Sequence, residues 1–158
     1  MTEFHADDYG LFPAQSGRIL DCWREGALNG TSLMPNSPCL DECLDMLPPE
    51  GIALTVHLNL IEGRCLAPKE ALPLLVDDRG VFRVSFSSLL FSRFTGKYRE
   101  YRREIKMELS AQIRALRSAT ADHLFRLLPL CRRAATGRRP VPRDAHTLVA
   151  GFRHLRKP

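Results

Sequence analysis

The 158-residue sequence predicts an α/β fold built on parallel strands. Two observations carry that expectation. Short apolar stretches of strand character alternate with stretches of helical periodicity over the first 60 residues. The clearest strand, IALTVHLNL at 52–60, sets Ile52, Leu54, Val56, Leu58 and Leu60 on one face and Ala53, Thr55, His57 and Asn59 on the other. Strand, helix, strand, helix, strand in that order is the pattern of βαβ units with parallel strands.

The elements follow in chain order. Residues 3–6 predict a short strand that ends at the adjacent carboxylates Asp7 and Asp8. From Ser16 a helix is expected, because Ile19, Leu20, Trp23 and Ala27 share one face and Gly26 and Gly30 mark its exit. GTSLMPN, residues 30–36, reads as a strand running into a Pro-Asn turn. LDECLDML, residues 40–47, repeats Leu40, Cys43, Leu44 and Leu47 on a helical face until Pro48-Pro49 stops it. Residues 61–96 are rich in turn signals, with VFRVSFSSLLF read as a short strand or helix. From Gly96 a long helix is expected, with Tyr98, Tyr101, Ile105, Leu109, Ile113 and Leu116 as its apolar stripe. A second helical piece covers roughly 120–135, followed by the linker ATGRRPVPRD and a basic end.

Composition bounds the function. At 44% hydrophobic and 26% charged residues, the chain is of globular type. It has no run of 18 apolar residues, so no membrane span is expected. MTEFHADD lacks an apolar leader core, which together with reduced thiols points to the cytoplasm. The five cysteines, Cys22, Cys39, Cys43, Cys65 and Cys131, form no CxxC pair, so a structural zinc site is not expected. The net charge of +5 is uneven. Residues 1–80 hold 5 Lys/Arg against 13 Asp/Glu, and residues 81–158 hold 18 against 5. A basic end of this kind suits nucleic acid or anionic lipid, but it lacks the interleaved aromatics on which single strands stack. Nucleic acid is therefore not the expected partner.

Chemistry concentrates at the ends of the expected strands, where ligand groups gather in parallel α/β folds. Asp7 and Asp8 lie at the end of the first strand and His57 near the end of the alternating one. Neighbours along a strand point to opposite sides, so the two carboxylates are expected to take different jobs. Asp plus His is a ligand set for a divalent ion, and a second carboxylate beside it is a candidate general base.

HADDYGL (5–11), ILDCWREGALNGTSLMPN (19–36) and VHLNLIEGRCLAP (56–68) together resemble the YdjC-type, or ChbG-like, carbohydrate deacetylases, in matching order and spacing. REIKMELSAQIRAL, residues 103–116, is similar to the long helix that precedes that family's third site segment. The resemblance implies a deformed (β/α) barrel, with residues 1–118 as its N-terminal part and 119–158 as a basic tail. It implies Asp7 as the catalytic base and Asp8 and His57 as ligands of a divalent ion (magnesium, zinc or cobalt). It implies His146, in Asp144-Ala145-His146, as the third ligand. A rival alignment sets residues 121–135 at that segment, with His123 on a histidine that binds no metal and the ligand segment missing. The implied reaction is removal of an N-acetyl group from an acetamido sugar such as a short chitooligosaccharide, and no residue is assigned as its general acid. The other reading is a truncated or frameshifted, inactive remnant, or a small binding protein that keeps part of the fold. Half a barrel leaves sheet edges open, so self-association as a homodimer is expected.

Overall fold

The computed structural model describes residues 4–48 and 51–134, with side chains described as far as residue 121. Three parallel strands lie in the order β1-β2-β3: β1 His5–Tyr9, β2 Gly30–Leu33 and β3 Ala53–Val56. Helix α1 (Pro13–Arg24) connects the first pair and α2 (Leu40–Asp45) the second. The expected strand-helix alternation and the parallel sheet are both present. α1 starts three residues before the expected Ser16, because Pro13 occupies its first turn, where no backbone donor is needed.

One core lies between the sheet and these helices. Tyr9, Leu33 and Ile52 from the sheet side meet Ile19 and Leu20 of α1, Leu40, Cys43 and Leu44 of α2, and Leu116 from further along the chain. Cys43 is fully buried, and Cys22, Cys39 and Cys65 are also free thiols. Burial pushes the Cys43 and Cys65 thiols above their ordinary range, which keeps them protonated and suits packing rather than chemistry.

β3 stops at Val56, four residues short of the expected strand. The reason lies in helix α4, Tyr98–Ala134. Gln112 of α4 accepts from the Asn59 N–H at 3.0 Å and donates to the Asn59 carbonyl at 2.5 Å, so both backbone groups leave the ladder for a side chain. Residues 61–85 then form an irregular layer held by isolated antiparallel bridges, Arg64 to Val81 and Val76 to Phe82. Beneath it a second core gathers Leu72, Leu75, Val76, Phe82 and Val84 against Ala111 of α4. The stretch left open between strand and helix resolves into a helix, α3 Phe86–Phe91, opened by a capping box between Ser85 and Ser88.

α4 departs from expectation in two ways. It is one continuous helix rather than two pieces, and the polar stretch near residue 120 does not break it. There Thr120 bonds back to the Leu116 carbonyl at 2.8 Å, which satisfies the hydroxyl within the helix. Its buried line also departs in part from the expected apolar stripe, of which Leu116 is buried and Tyr101 and Ile105 are partly buried against the second core. Tyr98 is exposed, whereas Glu104, Glu108, Ala111, Gln112 and Leu116 are buried. The carboxylates replace a missing sheet. Glu108 accepts from the backbone N–H groups of Leu66 and Ala67 and from Gln112 Nε2, and Glu104 accepts from those of Leu74 and Leu75. No helix among the described residues is long and apolar enough to cross a membrane. The 135–144 linker and the end of the chain, including His146, lie outside the described residues.

Removing the Glu108 acceptor leaves two backbone donors and one Gln112 Nε2 hydrogen unsatisfied. Glu108→Ala should therefore cost on the order of 3 kcal/mol, with Glu108→Gln losing less. Urea denaturation checks this: the midpoint should fall with little change in slope, and an unchanged midpoint would count against the carboxylate as the strap of this layer.

Candidate functional site

β1 does not run straight into β2. Ala6 pairs with Thr31 and Tyr9 with Leu33, so Asp7 and Asp8 together stand against Ser32 alone. This is a β-bulge. Asp8 absorbs it with φ +65, the left-handed conformation that an L-residue other than glycine, Asn or Asp rarely takes. The extra residue changes the parity of the strand, so Tyr9, three positions after Ala6, returns to the core face.

The residues after the bulge hold it in place. The buried Tyr9 hydroxyl donates to the Cys43 carbonyl at 2.8 Å, tying the end of β1 to α2. Burial raises the Tyr9 phenol far above its usual range and keeps it a donor. Gly10 turns the chain at φ +95, where a Cβ would also press on Leu40 at 3.1 Å. The Gly10 N–H is taken by Ser16 Oγ at 3.0 Å, which in turn donates to Cys43 Sγ. The glycine and the aromatic that follow the acidic pair are thus the backbone device that aims it.

Because of the bulge, both carboxylates reach the same imidazole. Asp8 Oδ1 lies 3.3 Å from His57 Nε2, and Asp7 Oδ1 lies 3.9 Å from His57 Nδ1. The expectation that strand alternation separates Asp7 from Asp8 is corrected by this geometry: the strand continues, but the inserted residue lets both turn toward β3. His57 follows β3 directly, its N–H bonded to the Leu33 carbonyl at 2.8 Å. Asp7 is the most open of the three, with its side chain 67% exposed against 39% for Asp8 and 30% for His57.

Two further residues complete the cluster, and sequence reasoning assigned neither a role. Ser32 Oγ donates to Asp7 Oδ1 at 2.7 Å and lies 3.3 Å from His57 Nδ1. His5 Nε2 lies 3.9 Å from Asp7 Oδ1 and 3.2 Å from Thr55 Oγ1. The signal for Ser32 was its central position in GTSLMPN, but its partner depends on a register that the text does not show. Asn36 and Asn59 serve the neighbouring loop instead: Asn36 Nδ2 donates to the Glu62 and Arg64 carbonyls, and Asn59 Oδ1 accepts from the N–H groups of Ile61 and Glu62.

Among the described residues no group of three or more His, Cys, Asp and Glu side chains is arranged to hold a metal ion. Asp8 and His57 do supply a pair. A carboxylate oxygen and an imidazole nitrogen 3.3 Å apart, both half-exposed, are donors of the type a divalent cation takes. Neither His146 nor the His123 side chain is among the described positions.

An α/β protein with carboxylates and an imidazole converging at the ends of parallel strands is the class that the fold and site define. The comparisons with known proteins place it further. A family model described as YdjC-like protein matches residues 3–124, and the chain belongs to that family. It is 32% identical over 117 residues to carbohydrate deacetylase 1 of Listeria innocua, a match covering 73% of this chain and 45% of that relative. A carbohydrate deacetylase of Thermoanaerobacter pseudethanolicus is 34% identical over 85 residues, covering 52% of this chain and 33% of that one. The match to the Listeria relative thus spans under half of that protein's length. Among solved structures, a proposed cellobiose-phosphate cleavage protein from Enterococcus faecalis aligns with a TM-score of 0.60 at 28% identity, covering 73% of this chain and 43% of that one.

The left-handed Asp8 and its acidic neighbour make the site a source of instability. Asp8→Gly should raise the melting temperature in chelator by about 3 °C, from relief of strain worth about 1 kcal/mol and of charge repulsion. Asp8→Ala keeps the strain and should gain less. Equal melting of the two variants would remove backbone strain from the account.

Proposed function

We propose that this chain is part of a metal-dependent carbohydrate deacetylase that removes N-acetyl groups from acetamido sugars of the chitooligosaccharide type. Its three parallel strands would be the opening strands of a deformed (β/α) barrel. The observation that carries the reading is the bulge that turns two adjacent carboxylates onto one imidazole. The family relation and the deacetylase names of the relatives support the same reaction class.

In this reading Asp7 is the base. Its open carboxylate is oriented by the Ser32 hydroxyl and accepts a proton from the attacking water. Asp8 and His57 would hold a divalent cation (magnesium, zinc or cobalt), with His146 as the proposed third ligand. Such a cation, when bound, acidifies water and polarises an amide carbonyl. Cleavage of the C–N bond gives acetate and a free amino sugar. The departing amine takes up a proton, and no acid for that step is assigned among the described residues.

A second reading, a binding protein or inactive remnant, is favoured by one observation: the described residues alone do not complete a three-ligand group. Thermal melting with excess zinc, cobalt or magnesium separates the two. At a hundredfold excess over the dissociation constant, binding should add about 3 kcal/mol of stability, and His57→Ala and His146→Ala should both lose it. Retention of the effect in His146→Ala would move the third ligand elsewhere, and no shift with any of these metals would sink the enzyme reading.

If the metal effect is present, acetate release from N-acetylated amino sugars should fall by roughly 10²–10⁴-fold in Asp7→Asn, while the metal-linked melting shift persists. Loss of the shift as well would make Asp7 a ligand rather than a base.

A further inference from the structure

We propose that Gln112 of α4 is a positioning residue for the candidate site: its side-chain amide fixes the chain directly after β3 and so sets where the His57 imidazole stands opposite Asp8. Among the described residues β3 pairs with β2 alone, so it has a neighbour on one side only. Its ladder ends with the His57 N–H on the Leu33 carbonyl. Leu58 follows with an exposed side chain, so packing adds little hold there. Asn59, the next residue, gives its backbone N–H to Gln112 Oε1 and takes Gln112 Nε2 on its carbonyl. One buried side chain thus anchors the backbone two residues beyond the imidazole.

The hydrogen-bond pattern calls for an amide at position 112. The Asn59 N–H can only donate, so it selects the amide oxygen. The amide nitrogen has two hydrogens, which go to the Asn59 carbonyl and to Glu108 Oε1 at 2.8 Å. Both ends are therefore matched, in a side chain with no exposure. Glutamate has the same shape but would set a carboxylate against the Asn59 carbonyl and the Glu108 carboxylate. Methionine fills the space and bonds neither. Asn59 passes the restraint on: its Oδ1 accepts from the Ile61 and Glu62 N–H groups, and its Nδ2 donates to Asn36 Oδ1, three residues past β2. The exits of β2 and β3 are thereby joined. The 3.3 Å between Asp8 Oδ1 and His57 Nε2 is then set from two flanks, Tyr9 and Gly10 behind Asp8 and Gln112 behind His57. Groups outside a ligand set tune its affinity by holding the ligands in place. The positioning rests on the hydrogen bonds alone, and its use by a cation rests on the deacetylase reading.

Two measurements on the full, ¹⁵N-labelled chain test this without any assay of activity. In chelator, the His57 ring signals should shift in Gln112→Glu and in Gln112→Met. The His57 amide should also lose more protection from hydrogen exchange than the core amides of α1 do. Glu104→Ala is the control. It removes a buried acceptor of the same helix, from the N–H groups of Leu74 and Leu75, and should destabilise the fold while leaving His57 as in the wild type. Zinc, added alone, should bind about 10-fold more weakly to both Gln112 variants and with wild-type affinity to Glu104→Ala. An undisturbed His57 or an unchanged zinc affinity in both Gln112 variants would overturn the proposal. Equal disturbance of His57 by Glu104→Ala would refute it too, since Gln112 would then be general support for the fold. A wild type that binds none of zinc, cobalt and magnesium, with His57 disturbed by the Gln112 variants alone, supports the positioning role and sinks the deacetylase reading instead.

Discussion

Helix α4 buries two glutamates and a glutamine in a row, and the rest of the molecule is arranged around that row. Glu104, Glu108 and Gln112 are spaced four residues apart, so they lie along one line of the helix. A buried carboxylate is costly unless its oxygens are bonded, and here the layer at 58–76 supplies the donors. That layer has no full strands of its own, so its N–H groups would otherwise be orphaned beside a core. The two deficits cancel. Leucine at these positions would pack on the second core but leave the loop backbone unsatisfied, which is why a polar row faces inward beside Tyr101, Ile105 and Leu116 of the apolar stripe.

The same row reaches the site. Gln112 grips Asn59 by both backbone groups, two residues beyond His57. It thereby fixes where β3 ends and which way the chain leaves it. Because Gln112 also donates to Glu108, the exit of β3 and the strap on the loop belong to one network. Such networks strengthen when every member is satisfied. The backbone that carries the imidazole is thus held between a sheet hydrogen bond at His57 and the helix contact at Asn59, while the carboxylates it faces are held by Tyr9, Gly10 and Ser16. Rigid support on both flanks lets a strained residue such as Asp8 persist, since strain survives only where its surroundings over-determine it.

The sequence made some of this legible and concealed the rest for identifiable reasons. The parallel sheet was legible because the hydrophobic pattern changes period between strand and helix. Asp7, Asp8 and His57 stood out by type and by their position at strand ends. The bulge did not, because alternation of side chains assumes an unbroken ladder, and only pairing with β2 reveals that two residues oppose one. The buried face of α4 is legible only in part, through Tyr101, Ile105 and Leu116, because glutamate and glutamine read as solvent-facing until a loop in need of acceptors is placed beside them. Ser32 passed unnoticed because its role lies in two contacts to residues 25 positions away.

The geometry of the sheet explains why a small residue stands at the centre of the site. Asp7 and Asp8 come from β1 and His57 from the end of β3, and β2 lies between them. Neighbouring strands are about 4.8 Å apart, so the outer two are separated by about 10 Å. Side chains from both must lean over the central strand for Asp8 and His57 to come within 3.3 Å. A large residue at position 32 would fill the space through which they meet, and an apolar one would leave Asp7 without its donor. Serine is small enough to be bridged and polar enough to take part. The bulge supplies the remaining reach, since an uninterrupted β1 would have turned one carboxylate away. Convergence therefore depends on two features acting together, an extra residue on the outer strand and a short hydroxyl side chain on the inner one.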